Sequence, residues 1–274
     1  MQQVLEAQDI AQSGWNYTSA SSYITLSFWV KSSVAQNFYG QLQTEDGTSQ
    51  AYVYETGSLT ANTWTKITKT ILGNSNLQFD INANAGLYVA PIRIFDGTDR
   101  TGSMSLNSWA AYSGSARTPD QTSTWYTTND ATLEITGVQL EVGSVATDFE
   151  HRSFAVEKAL CQRYCVQWDS DQQLGIGQVY SGSGYVMLPI ALPCEMRAKP
   201  SVSKNGSYWF VSYHGNSGYA GDRAVTVESN AGAVPNAFMY RLFVNGGSNQ
   251  GNATTVWCLI HDNANHYLRL EAEI

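Results

Sequence analysis

The sequence predicts an all-β protein with two antiparallel β-sandwich, jelly-roll-like domains joined by a short helix. Three observations carry this prediction. Short runs of alternating apolar and polar residues recur along the whole chain. Turn signals rich in Gly, Asn and Ser separate these runs. Only one stretch, residues 153–167, has the apolar spacing of a helix, and it lies between the two β-rich parts.

The chain of 274 residues is long enough for two ordinary domains. We place the first domain at residues 1–150, the helical connector at 151–167 and the second domain at 168–274. The sequence shows no internal repeat of the kind that builds a solenoid or a β-helix.

The strands of the first domain follow from period-two alternation. Ile24, Leu26, Phe28 and Val30 predict the buried face of one strand, which leaves Trp29 on the opposite face. We expect Trp64 in the core because it opens a strand directly after a turn. Further strands are predicted at 38–42, 51–54, 64–71, 77–81, 87–95 with a bend near Pro91, around 105–112, and at 132–142 with a bulge at Gly137.

The connector is predicted to be a helix that begins after Ser153, whose hydroxyl caps it. Its apolar face is predicted to consist of Phe154, Val156, Leu160 and Tyr164. Strands of the second domain are predicted at 185–192, 200–204, 208–213, 224–228, 238–245, 256–262 and 267–274.

Charge and composition exclude several classes of function. The net charge is −8 and the basic residues are scattered, whereas a nucleic-acid binder needs clustered Lys and Arg. No apolar run is long enough for a membrane-spanning helix, so we expect no membrane insertion. The first residues lack a basic region followed by an apolar stretch, so we expect no signal peptide.

The sequence also predicts that the protein is not an enzyme. Glycoside hydrolysis needs two carboxylates beside a sugar groove, and none of the candidates, such as Asp80, Asp96 and Glu195, lies in a motif. The nucleophile elbow, the phosphate loop and the His-Glu-x-x-His signature are all missing from the sequence. The four histidines are isolated from one another.

Aromatic residues are the strongest candidates for binding, since the sequence holds 8 Trp and 16 Tyr. Flat rings on a β-sheet stack on pyranose rings, while amide and hydroxyl side chains bind the sugar hydroxyls. We expect one glycan-binding face in the first domain, unless the long loop or a neighbouring subunit covers it. Its predicted members are Trp29, Tyr39, Gln41, Tyr52 and Tyr54.

Two further groups of aromatic residues are candidates for glycan binding. One lies in the long polar segment 96–130, which is functional or contains further strands. The other surrounds Gly-rich loops of the second domain, where Tyr beside Ser, Gly and Asn is typical of binding loops. The first group is Trp109, Tyr112 and Trp125, and the second is Tyr208, Tyr213 and Tyr219.

Two segments carry a family resemblance. ITGVQLEVG at 135–143, FEHRS at 149–153 and ALCQRY at 159–164 resemble a segment of bacteriophage tail-fibre and receptor-binding proteins, especially those of phages of aquatic bacteria. LPIALPCEMRAKPSV at 188–202 resembles the start of the C-terminal domain that follows it. The first domain resembles a jelly-roll carbohydrate-binding module, through residues 64–66 and the strand at 135–141. Cys165 departs from the pattern, because a second aromatic residue is more usual there.

The resemblance implies a tail-fibre or receptor-binding protein of a phage virion, made in the cytoplasm of the host bacterium. Such proteins are commonly homotrimers, and their partners are other virion tail proteins and host cell-surface polysaccharide. The alternative is a purely structural virion component: a fibre, a baseplate part or a capsid decoration. The third hypothesis is that the protein is a polysaccharide depolymerase.

The resemblance implies no required cofactor but leaves room for one metal. Sugar-binding sandwiches of this layout often hold a structural calcium ion where the first and last strands meet, and hard oxygen ligands suit that ion. The carboxylates near those strands are Glu6, Asp9, Glu141 and Asp148.

Overall fold

The structure is a computed structural model that confirms the all-β class. It describes residues 1–94, 105–119, 125–169, 172–180, 185–205, 208–212, 217–219, 225–227, 239–245, 255–260 and 266–273. The chain divides into two compact units, residues 1–151 and 152–273. The jelly-roll assignment of each stays a prediction.

The first unit consists of two antiparallel sheets that face each other across one apolar core. The elements are β1 (Gln3–Glu6), α1 (Ala7–Ala11), β2 (Tyr23–Ser32), β3 (Asn37–Thr44), β4 (Gln50–Ser58), β5 (Thr65–Leu72), β6 (Ala85–Arg93), β7 (Trp109–Ala111) and β8 (Leu133–Val142). The larger sheet has the strand order β1-β6-β3-β4-β7, and the smaller has the order β5-β2-β8.

Strand β2 confirms the predicted alternation. Its side chains at Ile24, Leu26, Phe28 and Val30 are buried in the core, and Trp29 lies on the outer face. Burial of one such aliphatic or aromatic side chain contributes roughly 1.5–3 kcal/mol. Because successive side chains of a strand point to opposite faces, the four buried residues determine which face of β2 points away from the core.

Tyr54 on β4 joins three strands of the larger sheet. It pairs with Gly40 on β3, and a Cβ at Gly40 would lie 2.3 Å from the tyrosine ring. The phenol then donates a hydrogen bond of 2.9 Å to the carbonyl of Pro91 on β6. Only glycine leaves room for the ring at this crossing. The register of β3 against β6 is irregular beside Pro91, where a bend was predicted.

Two predictions for the first unit were wrong. Residues 77–81 form no strand, although Leu77 and Phe79 are buried in the core cluster. Alternating apolar residues fill the core here without pairing, so the pattern resembles that of a strand. Trp64 is not a core residue but is 41% exposed. The short helix α1 was not predicted.

The bulge in β8 was predicted correctly. Gly137 has φ +59°, and the register of β2 against β8 shifts between Ser27 and Trp29, directly opposite. A left-handed backbone of this kind favours glycine because other residues strain there.

The second unit contains one helix and ten strands in its described part. The elements are α2 (Phe154–Gln162), β9 (Cys165–Asp169), β10 (Gln173–Tyr180), β11 (Tyr185–Ala191), β12 (Ser201–Asn205), β13 (Tyr208–Ser212), β14 (Ser217–Tyr219), β15 (Val225–Val227), β16 (Met239–Asn245), β17 (Thr255–Ile260) and β18 (Tyr267–Glu271). One sheet has the strand order β14-β13-β17-β10-β11-β16-β15, and the other has the order β12-β18-β9.

Helix α2 is shorter than predicted. Ser153 caps it as expected, since its hydroxyl accepts a hydrogen bond from the backbone N–H of Val156. The helix ends at Gln162 because residues 165–169 pair with β18 instead. The predicted common apolar face was wrong, because residues two apart, such as Phe154 and Val156, lie on opposite sides of a helix. No side chain of α2 is buried.

Arg197, in the segment 188–202, binds the backbone directly after β18. Its Nε and Nη2 donate hydrogen bonds of 2.9 and 2.8 Å to the carbonyls of Ala272 and Glu273. The neighbouring Met196 is completely buried. This segment therefore serves the fold of the second unit.

In the described part of the chain, neither helix has the length and apolar character that crossing a lipid bilayer requires.

Candidate functional site

The outer face of the smaller sheet carries two exposed tryptophans. Trp29 on β2 and Trp64, one residue before β5, are each 41% exposed. Trp29 pairs with Lys66 and Val30 pairs with Thr65, so the register places Trp64 opposite Lys31. The two tryptophans are thus diagonal neighbours on adjacent strands, with Cα atoms roughly 7–8 Å apart.

Polar side chains surround the two indoles. The Lys31 ammonium lies 2.6 Å from a carboxylate oxygen of Glu134 on β8 and 5.1 Å from the centre of the Trp64 ring. Thr136 on β8 pairs with Trp29 from the other side. We call this surface the tryptophan face and define it as Trp29, Lys31, Trp64, Lys66, Glu134 and Thr136.

A segment that we call the strap, residues 143–150, follows β8 and runs back along the outer face of the same sheet. Thr25 on β2 donates a hydrogen bond of 2.8 Å to the carbonyl of Gly143, and Thr70 on β5 donates one of 3.2 Å to that of Ser144. Thr25 and Ser27 are buried although they point away from the core. The outer face is therefore closed at this end and open at the tryptophan face.

Two residues of the ITGVQLEVG motif fasten the strap. Glu141 accepts hydrogen bonds of 2.9 Å from the backbone N–H of Thr147 and 2.7 Å from its hydroxyl. The side-chain amide nitrogen of Gln139 donates to Glu141 at 3.0 Å and to the Thr147 hydroxyl at 3.1 Å, and its side-chain amide oxygen Oε1 accepts from the N–H of Glu150 at 2.8 Å. The hydrogen bonds from Gln139 and then from Thr147 hold the pKa of Glu141 below its usual value. We call Gln139, Glu141 and Thr147 the clasp.

Phe149 of the strap lies beside Trp29 across Gly137. A Cβ at Gly137 would lie 3.4 Å from Cδ1 of Trp29 and 3.9 Å from Cδ2 of Phe149. The Phe149 ring is 45% exposed and meets the His151 ring edge-on, with 5.1 Å between the ring centres. A third aromatic ring thus borders the tryptophan face.

The structure does not bring the four predicted calcium ligands together, and calcium binding stays a prediction. Glu6 is completely buried and accepts a hydrogen bond of 2.7 Å from Gln8, while Glu141 belongs to the clasp. Asp9 is exposed on α1, and Asp148 is exposed on the strap. Within the described ranges, no three residues of the types His, Cys, Asp and Glu are grouped closely enough to hold a metal ion.

The other predicted members of the glycan-binding face lie on the larger sheet, so they share no surface with Trp29. Tyr52 and Tyr54 are 6% and 0% exposed and belong to the core, which makes the prediction that they face outward wrong. The sequence misled because Ala51 and Val53, on the opposite face of β4, are buried as well. The alternation of residues along β4 therefore does not indicate which of its two faces packs against the core.

Tyr39 and Gln41 lie on the opposite face of the larger sheet from Tyr54. Tyr39 is partly exposed. Gln41 is only 1% exposed, and neither its amide oxygen nor its amide nitrogen has a hydrogen-bond partner. A buried side chain of this kind is out of reach of a large ligand, so the predicted binding role of Gln41 is wrong.

The tryptophans of the long polar segment support the core. Trp109 packs on Tyr52 with 5.5 Å between ring centres and donates a hydrogen bond of 2.7 Å to the Leu72 carbonyl. Trp125 packs edge-on against Phe38 and donates to the Thr132 carbonyl at 3.0 Å. Tyr112 is partly exposed, after β7.

The candidates of the second unit remain predictions. Tyr213 lies outside the described residues. Tyr208 begins β13 and Tyr219 ends β14, but their side chains lie outside what the structure describes.

Sequence reasoning missed Trp64 and Phe149 as members of this surface. The signal for Trp64 was present: the core row of β5 contains Ile67 and Ile71, and period-two counting back from Ile67 places residue 64 outside. No local pattern indicated Phe149, since its position depends on the clasp.

No family model matches the chain, and no curated protein matches it either.

Proposed function

We propose that this protein is a non-enzymatic receptor-binding component of a phage tail that recognises a host-surface glycan at the tryptophan face. The observation that carries the proposal is the pair of diagonal, half-exposed indoles of Trp29 and Trp64 on one face of the smaller sheet. The assignment to a phage tail rests on the resemblance of residues 135–164 and 188–202.

The chemistry of the surface suits a neutral saccharide. The apolar faces of pyranose rings stack on indoles, and two indoles at this separation support one or two adjacent sugar units. Lys31 and Glu134 neutralise each other at 2.6 Å, so they serve as hydrogen-bond donor and acceptor rather than as an anion site. Lys66 and Thr136, both exposed, flank Trp29 with further polar groups.

Each such site binds weakly, so we also propose a homotrimer that presents three copies. Three linked copies gain avidity without any new contact to the glycan. The exposed apolar residues of α2 support self-association, since Phe154 is 82% exposed. Light scattering on the purified full chain would measure the mass of the assembly, and a monomer would contradict this part of the proposal.

A glycan array tests the binding function. Wild-type protein is compared with Trp29→Ala, Trp64→Ala and a matched control, Tyr126→Ala, which removes an exposed ring of the first unit that is not a member of the tryptophan face. Loss of one stacking ring is expected to weaken binding about tenfold, which corresponds to about 1.4 kcal/mol. The control is expected to bind like wild type.

Three results distinguish the alternatives. Binding that Trp29→Ala and Trp64→Ala weaken, while Tyr126→Ala does not, supports the proposed function. A wild-type protein that binds no glycan but is still incorporated into phage particles favours a purely structural virion component. Release of reducing sugar ends from a polysaccharide favours a depolymerase.

A further inference from the structure

We infer that Phe149 is a third binding residue of the tryptophan face and that the clasp of Gln139, Glu141 and Thr147 positions it. This inference rests on the proposed function. It assigns a role to the most distinctive motif of the sequence, which the tryptophan face alone does not explain.

The first step is that the clasp fixes the strap in one place. The Thr147 hydroxyl is bound on two sides, because it donates to Glu141 and accepts from Gln139. Gln139 also accepts from the N–H of Glu150, the residue directly after Phe149. Hydrogen bonds therefore hold the backbone on both sides of the phenylalanine. The charge on Glu141 strengthens its two bonds with Thr147 relative to neutral ones.

The second step is that this position brings Phe149 to Trp29. Both rings approach the same backbone position, because a Cβ added at Gly137 would be in ordinary van der Waals contact with each of them, at 3.4 Å from Trp29 and 3.9 Å from Phe149. The bulge of β8 lies at this same residue. A sugar that stacks on the Trp29 ring is therefore within reach of the neighbouring Phe149 ring.

The third step is that Phe149 is open to a ligand. A strap that served the fold alone would bury its one aromatic ring, yet this ring is 45% exposed, as open as those of Trp29 and Trp64. A phenyl ring offers no hydrogen bond, so its contribution would be contact with the C–H surface of a sugar held by Trp29.

The test uses Phe149→Ala and Phe149→Leu for the ring, and Thr147→Val and Thr147→Ser for the clasp. Valine keeps the shape of threonine without its hydroxyl, whereas serine keeps the hydroxyl. Each full-length variant is measured against the array glycan that the wild type binds most tightly. The 19F spectrum of 5-fluorotryptophan at position 29, assigned with Trp29→Phe, reports the position of the strap.

We expect about fivefold weaker binding for Phe149→Ala and Phe149→Leu, which corresponds to about 1 kcal/mol. Thr147→Val is expected to shift the 19F signal of Trp29 and to weaken binding about threefold. Thr147→Ser is expected to match the wild type in both measurements. A strap that only supports the fold would lower the unfolding temperature in Thr147→Val without a change in affinity.

The failures are distinguishable. Unchanged affinity in both Phe149 variants, together with weaker binding by Trp29→Ala and Trp64→Ala, overturns the role of Phe149 and leaves the proposed function standing. An unchanged 19F signal in Thr147→Val overturns the role of the clasp. Wild-type binding by Trp29→Ala and Trp64→Ala overturns the proposed function and, with it, this inference.

Discussion

Thr147 donates two hydrogen bonds to Glu141, one from its backbone N–H at 2.9 Å and one from its hydroxyl at 2.7 Å. This relationship gives the ITGVQLEVG motif a physical meaning, because a residue of β8 holds the strap against the sheet. Arg197 acts in a similar way in the second unit, where it binds two carbonyls near the end of the chain. The segments 135–143 and 188–202 thus each fasten one part of the chain to another.

The clasp is expected to weaken in acid. Hydrogen bonds from Gln139 and Thr147 lower the pKa of Glu141 in the folded protein, so the stabilisation is fully present above the unfolded-state pKa. It is lost as the pH falls through the folded-state pKa. The effect is at most about 1 kcal/mol because the carboxylate is accessible to solvent. NMR titration of the Glu141 carboxyl carbon would measure the pKa, and Glu141→Gln should remove this part of the pH dependence. A midpoint at or above the ordinary carboxyl value would refute the prediction.

Substitution of Gly40 is expected to lower the free energy of unfolding. In Gly40→Ala the new Cβ would lie 2.3 Å from the Tyr54 ring and 2.4 Å from the Pro91 carbonyl, so strands must move. We expect a loss of at least about 2 kcal/mol in the free energy of unfolding, measured by urea denaturation. Gly114→Ala is the matched control, because nothing lies within 4 Å of its Cβ position and a change of less than about 0.5 kcal/mol is expected. Equal losses of stability in the two variants would show that the close packing of Tyr54 and Pro91 on Gly40 does not cause the loss.

The Tyr54 hydroxyl is expected to stabilise the fold through one hydrogen bond. Tyr54→Phe removes the donor to Pro91 and leaves a buried carbonyl without this partner, which should cost about 1–2 kcal/mol in urea denaturation. Tyr23→Phe, at the exposed start of β2, is expected to change stability by less than about 0.5 kcal/mol. A Tyr54→Phe protein as stable as wild type would mean that the sheet relaxes around the lost bond.

Gly137 is expected to be sensitive to backbone conformation rather than to space. Its φ is +59°, whereas an added Cβ would meet Trp29 only at 3.4 Å, an ordinary contact. Gly137→Ala should therefore lose roughly 1–2 kcal/mol of stability from backbone strain. Gly137→Asn should lose less, since asparagine tolerates the left-handed region. Thermal unfolding of both variants checks the order, and a larger loss for asparagine would argue for steric crowding instead.

Much of the first unit was predictable because the deciding signals are local. The alternation along β2 correctly placed Trp29 outside, Gly137 marked the bulge, and Ser153 marked the start of α2. Each depends on backbone geometry within a few residues. The prediction failed at Tyr54 because both faces of its strand are buried. Alternation then does not indicate which face points toward the core.

The sequence by itself determined the all-β class and the outward position of Trp29, because period-two patterning and turn residues act over a few neighbouring residues. Only the tertiary structure decided that Tyr52 and Tyr54 face the core, that Trp64 joins Trp29, and that Glu141 binds the strap. These outcomes depend on strand order and register, which bring together side chains far apart in the chain, such as Tyr54 and Pro91 or Trp29 and Phe149.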